Sequence, residues 1–212
     1  MQFTAAKWIG SVLVASLAIA SQVQADVIVS NTTASHDGDS SISSNLWQSQ
    51  EFVTGSQSVQ LTSIALSLSA LSSTSYTAEL VTNNGGLPGS SILTTFSVPT
   101  VASSFPSFFL DTLVPNSSVT LAANTDYWVV LQGGSGSLFW GGTHTNTPSI
   151  LNSASSENQG ASWAGPTWQP TGAFQMVVDG SPVSPVPLPA AAWLMLSGLG
   201  GLGAFARRSR AA

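Results

Sequence analysis

The amino-acid sequence predicts an all-β domain over residues 26–180, an antiparallel, jelly-roll-like β-sandwich. β-Branched and aromatic residues occur there in short runs, and turns rich in Gly, Asn and Ser separate them. No segment before Ala190 repeats apolar residues with the helical period of about 3.6 over three turns. Cysteine is absent, but a chain of roughly 150 residues buries about two thirds of its unfolded surface. The core can therefore form without disulfides.

The first half of the domain alternates strands with turns. Residues 26–30 are mostly β-branched and predict the first strand, whereas 31–45 consist mainly of Ser, Thr, Asn and Asp and predict a long loop or a poorly ordered crossing. Residues 76–82 and 92–98 predict two further strands. The Asn-Asn-Gly-Gly stretch in 83–89 predicts the turn that joins them.

A β-bulge is predicted in the strand at 59–68. Its apolar residues change parity between Leu61 and Ile64, so a regular strand would point them to opposite faces. One extra residue near Thr62 and Ser63 would bring all of them to the core side.

The second half contains the strongest strand signal of the chain. Residues 126–132 are apolar at five successive positions and predict a strand that is buried on both faces or lies at the centre of a sheet. The aromatic segment 105–111 predicts a strand that starts at a sheet edge because of Pro106. Residues 141–158 predict a loose stretch, and 173–179 the last strand.

Basic residues occur only at the two ends of the chain. The four Lys and Arg residues are Lys7, Arg207, Arg208 and Arg210, whereas all nine Asp and Glu residues lie between them. The domain is therefore acidic and cannot form salt bridges with Lys or Arg. Nucleic acid is excluded as a partner, and phosphorylated or carboxylated small ligands are disfavoured, because their recognition depends on Lys and Arg.

The N-terminus predicts a signal peptide over residues 1–25. Lys7 precedes an apolar run at 8–20, and small residues lead to a cleavage site between Ala25 and Asp26 for signal peptidase. A retained N-terminal anchor is the alternative, although the run is too short to span a bilayer as a helix.

The C-terminus predicts a membrane anchor in three parts. Residues 181–189 carry four prolines and form an extended linker. Residues 190–206 are uncharged and predict a transmembrane helix, and 207–212 form a basic tail in which Arg207, Arg208 and Arg210 stop transfer on the cytoplasmic side. The alternative is a short buried helix of a globular domain.

This C-terminus resembles the PEP-CTERM sorting signal in its VPLPA variant. The motif is Val186-Pro187-Leu188-Pro189-Ala190, followed by the apolar segment and then the arginines, with Leu188 where the name-giving motif has glutamate. The resemblance implies export across the inner membrane of a Gram-negative bacterium that makes exopolysaccharide. It also implies an exosortase-type membrane peptidase as a partner, cleavage near the motif, and a transient membrane anchor before release to the cell surface or medium.

The domain itself resembles the exported β-sandwich domains called choice-of-anchor. The similar stretches are 50–56, 61–64, 88–90, 121–130 and 175–180. This resemblance implies a β-sandwich and export, and it indicates nothing about activity.

The densest polar cluster is His36-Asp37-Gly38-Asp39. Its carboxylates at Asp37 and Asp39 are oxygen ligands of the kind that Ca²⁺ prefers, although a calcium site needs six to eight oxygens. A solvated loop is the alternative. The only other histidine is His144, and no Gly-x-Ser-x-Gly elbow occurs. A pair of facing carboxylates, as in a glycosidase, remains open, but the sequence favours a protein that is not an enzyme and has no cofactor.

Five tryptophans lie in the domain, and two of them are candidates for ligand binding. Trp128 lies in the central strand and is predicted to be core. Trp163 and Trp168 flank a short segment predicted as a loop, where indole rings can pack against the apolar faces of sugars. Alternatively, the two rings form a hydrophobic cap on one end of the sandwich.

Two functions are consistent with the sequence. The first is an exported, non-catalytic surface or extracellular-matrix protein associated with exopolysaccharide, as in a biofilm. The second is a carbohydrate-binding module that uses Trp163 and Trp168, with or without Ca²⁺.

Overall fold

The structure, a computed structural model, describes residues 26–134, 136–167 and 172–183. The predicted signal peptide, sorting motif, transmembrane helix and basic tail lie outside these ranges. The described residues form fourteen β-strands and no helix. They therefore contain no helix that could cross a membrane. The strands are β1 (Asp26–Ser30), β2 (Gly38–Ile42), β3 (Trp47–Val53), β4 (Val59–Ala70), β5 (Tyr76–Asn83), β6 (Pro88–Ser97), β7 (Phe109–Pro115), β8 (Thr120–Leu121), β9 (Asp126–Gly133), β10 (Leu138–Thr143), β11 (Ile150–Ser156), β12 (Ala164–Thr167), β13 (Ala173–Phe174) and β14 (Met176–Pro182).

The strands pair antiparallel in the order β1-β14-β4-β7-β6-β5-β9-β3-β11-β12. β10 lies off this path and pairs with β2, β4 and β13, and β8 pairs with β4. β6 and β7 share only the pairs Phe96 with Pro115 and Ser97 with Val114. That short contact divides the path into two parts. The part from β1 to β7 is called the half around β4, and the part from β6 to β12 is called the half around β9. The prediction of an all-β, antiparallel domain is confirmed.

One hydrophobic core holds the two halves together. It contains Leu66 and Trp140 from the half around β4 and Phe52, Leu80 and Leu131 from the half around β9, all of them buried. Burial of side chains of this size contributes about 1.5–3 kcal/mol each. The halves therefore stabilise each other mainly through side chains, because so few backbone pairs join them.

The central strand β9 is buried on both faces, as predicted. Tyr127, Val129 and Leu131 belong to the main core. Trp128 and Val130 point the other way and form a second group. We call it the outer cluster, and its members are Val81, Trp128, Val130 and Ala154.

The predicted bulge in β4 is confirmed. Ser63 pairs with Asp179 and Leu61 with Gly180, so Thr62 is the extra residue on β4. The bulge lets Leu61 and Ile64 both enter the core despite their opposite parity.

The predicted turn between β5 and β6 is also confirmed. Asn84 and Leu87 exchange backbone hydrogen bonds of 2.9 and 3.3 Å. Between them Gly85 and Gly86 have φ angles of +64° and +84°, which glycine adopts without steric cost. This is the geometry of a tight hairpin turn that needs positive φ at both central residues.

Two segments predicted as loops contain strands instead. β2 lies within 31–45 and pairs residue by residue with β10 from Gly38 to Ile42, although only Ile42 is apolar. β11 lies within 141–158 and pairs with β3. Backbone pairing supports both strands without an apolar pattern, so the sequence prediction was wrong there.

Two further predictions need correction. Residues 105–108 are not part of the aromatic strand, which begins at Phe109, because Ser107 N–H closes a turn onto Ser104 C=O at 2.8 Å. Residues 164–167, predicted as a loop between two tryptophans, form β12 and pair with β11.

Candidate functional site

The carboxylate of Asp37 joins two segments that are distant in sequence. It accepts hydrogen bonds from Ser35 Oγ at 2.8 Å, from the backbone N–H of His144 at 3.1 Å and from Thr143 Oγ1 at 3.3 Å. The Asp37 N–H in turn donates to Gly142 C=O at 2.9 Å. The Ser35 hydroxyl, followed by the His144 N–H, holds the pKa of Asp37 below its usual range.

The structure brings His144 beside Asp37, a contact that the sequence did not reveal. His144 Nδ1 lies 3.9 Å from Asp37 Oδ2. The register between β2 and β10 sets this proximity. The sequence could not reveal it, because β2 was not predicted as a strand. The two donors from Thr143 and His144, together with the bond from the Asp37 N–H to Gly142, make Asp37 an anchor for the 142–144 segment.

The Ca²⁺ prediction at Asp37 and Asp39 gains no further ligands from the structure. Within the described ranges, no group of three or more His, Cys, Asp or Glu side chains is arranged to hold a metal ion. Asp37 is engaged with Ser35, Thr143 and His144, and Asp39 lies one step along β2, opposite Gly141.

Four rings from three separate segments form a continuous row next to this acidic cluster. We call His36, Phe108, Phe105 and Phe139 the aromatic row. Successive ring centroids are 4.2 Å apart for His36 and Phe108, 6.4 Å for Phe108 and Phe105, and 4.8 Å for Phe105 and Phe139. Gly141 lies beneath it, where a Cβ would stand 2.9 Å from His36 Cδ2 and 3.0 Å from Phe108 Cδ1. A glycine is needed there for the rings to approach the sheet.

The aromatic row lies on the outer face of the half around β4. Trp140 points inward to the core, so its neighbours Phe139 and Gly141 point outward. Phe139 pairs with Ser41 and Gly141 with Asp39, and paired residues share a face. A hydroxyl and a carboxylate therefore lie beside the rings on the same surface.

The loop that carries Phe105 and Phe108 is fixed to the end of β4. The backbone N–H groups of Ser104 and Phe105 both donate to Ala70 C=O, at 2.9 and 3.0 Å. The hydroxyls of Ser104 and Ser69 are 3.2 Å apart and share a hydrogen bond. These bonds hold the loop over the sheet and so position its rings.

The tryptophans divide between core and periphery. Trp128 and Trp140 are fully buried, as predicted for Trp128. Trp163 is partly buried and packs against the outer cluster together with Trp47, the contact expected of a hydrophobic cap. Trp168 lies outside the described residues, so the predicted pairing of Trp163 with Trp168 stays a prediction.

Glu51 is a carboxylate with almost no solvent contact. It lies in β3, is 2% exposed, and accepts a hydrogen bond from Asn152 Nδ2 at 2.8 Å. Burial, reinforced by the negative charge of Asp126, raises the pKa of Glu51 above its usual 4.5, although the Asn152 bond opposes the shift.

Stability should therefore depend on pH through Glu51. Because its pKa is higher in the folded than in the unfolded state, Glu51 stabilises the fold below pH 4.5, and this contribution is lost as pH rises through the folded-state pKa. We expect Glu51→Gln to gain stability relative to the wild type between pH 4 and pH 7. Urea unfolding at several pH values measures this difference, and the exposed Glu157→Gln is the control. A difference that shrinks with rising pH would contradict the assignment.

The remaining predicted positions belong to processing. Asp26 is the first residue of β1 and pairs with Gly180. Ala25, the motif Val186–Ala190, and Arg207, Arg208 and Arg210 lie outside the described residues. No known protein family matches the chain, and no curated protein is significantly similar to it in sequence.

Proposed function

We propose that this chain is an exported, non-catalytic surface or extracellular-matrix protein associated with exopolysaccharide. It is sorted through its C-terminal VPLPA signal and cleaved there by an exosortase-type membrane peptidase. One observation carries the proposal. Lys and Arg are confined to Lys7 and to Arg207, Arg208 and Arg210, each beside an apolar segment, and are absent from the whole of the chain between them.

The fold supports this proposal because it is stabilised without cations. Buried amides and hydroxyls bond to backbone groups, as in Asn31 Nδ2 to Phe174 C=O at 3.0 Å and Ser49 Oγ to Ala154 C=O at 2.8 Å. Such neutral hydrogen bonds contribute about 0.5–1.5 kcal/mol each. Within this proposal the two halves form a jelly-roll-like sandwich of the choice-of-anchor type.

The two ends of the domain support a tethered arrangement. β1 begins at Asp26, and β14 ends at Pro182, so it includes Ser181 and Pro182, the first two residues predicted as the proline-rich linker. Asp26 pairs with Gly180, so the proposed signal-peptide junction and the proposed linker leave the domain at the same corner. A domain held by that corner presents the rest of its surface to the matrix.

Processing can be tested in the producing cells. We expect Pro187→Ala/Pro189→Ala, and separately Arg207→Gln/Arg208→Gln/Arg210→Gln, to leave full-length protein in the inner membrane fraction. The matched control is Pro182→Ala/Pro185→Ala, which removes two prolines outside the motif and should be released normally. Intact mass of the released wild type identifies both cleavage sites. Normal release of both test variants would contradict the sorting proposal.

Carbohydrate binding is the second candidate function. The partly buried Trp163 is held against the outer cluster, which suits a cap better than a ligand platform. The observation that favours carbohydrate binding is instead the aromatic row.

A further inference from the structure

We propose that the aromatic row binds a neutral polysaccharide chain, with the exposed faces and edges of its rings against the apolar faces of the sugars. This site differs from the tryptophan pair predicted from the sequence. The inference deepens the second candidate function and rests on the proposed presence of the domain in an extracellular matrix. Its direct evidence is the surface formed by His36, Phe108, Phe105 and Phe139.

The row is partly exposed to solvent. Phe105 is 41% exposed, whereas Phe108 and Phe139 are half-buried, and Leu110 on β7 is 51% exposed. Leu110 pairs with Ser67, whose hydroxyl also lies beside Gly141 under the row. An apolar surface of several large side chains from different segments is unusual for a soluble domain and marks an interaction site.

The rings contact one another in succession, with centroid separations of 4.2, 6.4 and 4.8 Å and interplanar angles of 35°, 68° and 37°. At 4.2 and 4.8 Å the rings of a pair pack on each other's faces, so their remaining faces and edges are what a ligand can contact. Rings contributed by three separate segments offer more than one contact position, which suits a chain of sugars better than one small molecule.

Polar side chains border the aromatic row. Asp39 and Ser41 share the outer face with Phe139 and Gly141. Sugar hydroxyls are donors as well as acceptors, and a carboxylate beside an aromatic ring accepts hydrogen bonds from them. His36 adds both a ring face and a ring N–H. Aromatic faces combined with a few oriented polar groups are what a saccharide requires.

The negative charge of the domain limits the kind of polysaccharide that can bind. The domain carries nine carboxylates and no Lys or Arg, and Asp37 and Asp39 lie next to the row. An acidic polysaccharide would be repelled, since nothing on the domain pairs with its carboxylates. The occupant is therefore a neutral chain.

Affinity electrophoresis of the full-length protein tests the site. The protein is kept in a polyoxyethylene detergent, which has no sugar headgroup, and run in native gels that contain hydroxyethyl cellulose, β-1,3-glucan, galactomannan or, as the acidic probe, alginate. We expect retardation by at least one neutral polysaccharide and none by alginate. Phe105→Ala/Phe108→Ala should bind at least about tenfold more weakly, as expected for two lost stacking contacts.

Matched variants separate the site from its surroundings. Phe109→Ala removes a 61% exposed ring that is not part of the row and should bind like the wild type. Phe105→Tyr keeps a ring and should retain binding. Thermal unfolding of each variant shows whether the fold is intact.

Four results would overturn the proposal. They are no retardation by any of the three neutral polysaccharides, equal retardation by alginate, loss of binding in Trp163→Ala but not in the double variant, and a wild-type dimer that the double variant abolishes. The last would make the row a surface for a second copy. The gels use protein purified before release, so a failure of binding is distinguishable from a failure of sorting.

Discussion

Trp140→Ala should lower the free energy of unfolding by about 4 kcal/mol, in the range seen when a large buried ring is deleted. Trp140 has no solvent exposure. Its ring stacks on Phe174 with centroids 4.6 Å apart and planes 12° from parallel, and its Nε1–H donates to Gln175 C=O at 3.1 Å. Alanine would leave a cavity beside Phe174 and a buried carbonyl without this donor.

Urea unfolding followed by circular dichroism measures this loss, since fluorescence would change with the tryptophan itself. Phe109→Ala is the control, because its ring is 61% exposed and contributes little to the core. We expect it to cost less than about 1 kcal/mol. If both variants lost the same free energy of unfolding, Trp140 would contribute no more to stability than the control residue, contrary to the packing described above.

Gln50→Leu is expected to lower the free energy of unfolding by about 3 kcal/mol, because three backbone groups would lose this partner. Gln50 is fully buried in β3. Its Oε1 accepts the N–H of Phe174 at 2.8 Å, and its Nε2 donates to Asn152 C=O at 2.8 Å and to Glu51 C=O at 3.1 Å. Leucine is close to glutamine in size but makes none of these bonds.

The same unfolding experiment tests this prediction. Gln57→Leu is the matched control, since Gln57 is exposed in the turn before β4, and it should change stability by no more than about 0.5 kcal/mol. If Gln50→Leu proved neutral, the amide would be replaceable by packing alone.

Strands with a strong side-chain pattern could be predicted from the sequence. The five successive apolar residues of β9 indicated a strand buried on both faces, and the parity change in β4 indicated the bulge at Thr62. β2 and β11 could not be predicted in this way. Their residues are mostly small and polar, and they are strands because β10 and β3 offer backbone partners. Such pairing depends on the whole fold.

The candidate site was predictable in its parts but not as a site. The cluster at His36 and the aromatic segment at 105–111 were each identified in the sequence. Only the register of β2 with β10, and the absence of a side chain at Gly141, brings their rings into contact. The sequence therefore favoured Trp163 and Trp168, where an aromatic pair was visible within one short stretch.

The pairing of β1 with β14 has a consequence for biosynthesis. Among the described strands, β1 pairs only with β14, the last to be made. A ribosome thus delivers nearly the entire domain before its first strand finds a partner, and long-range pairing of this kind is slow. The sheet that contains β1 is therefore complete only once the C-terminal strand of the domain has been made.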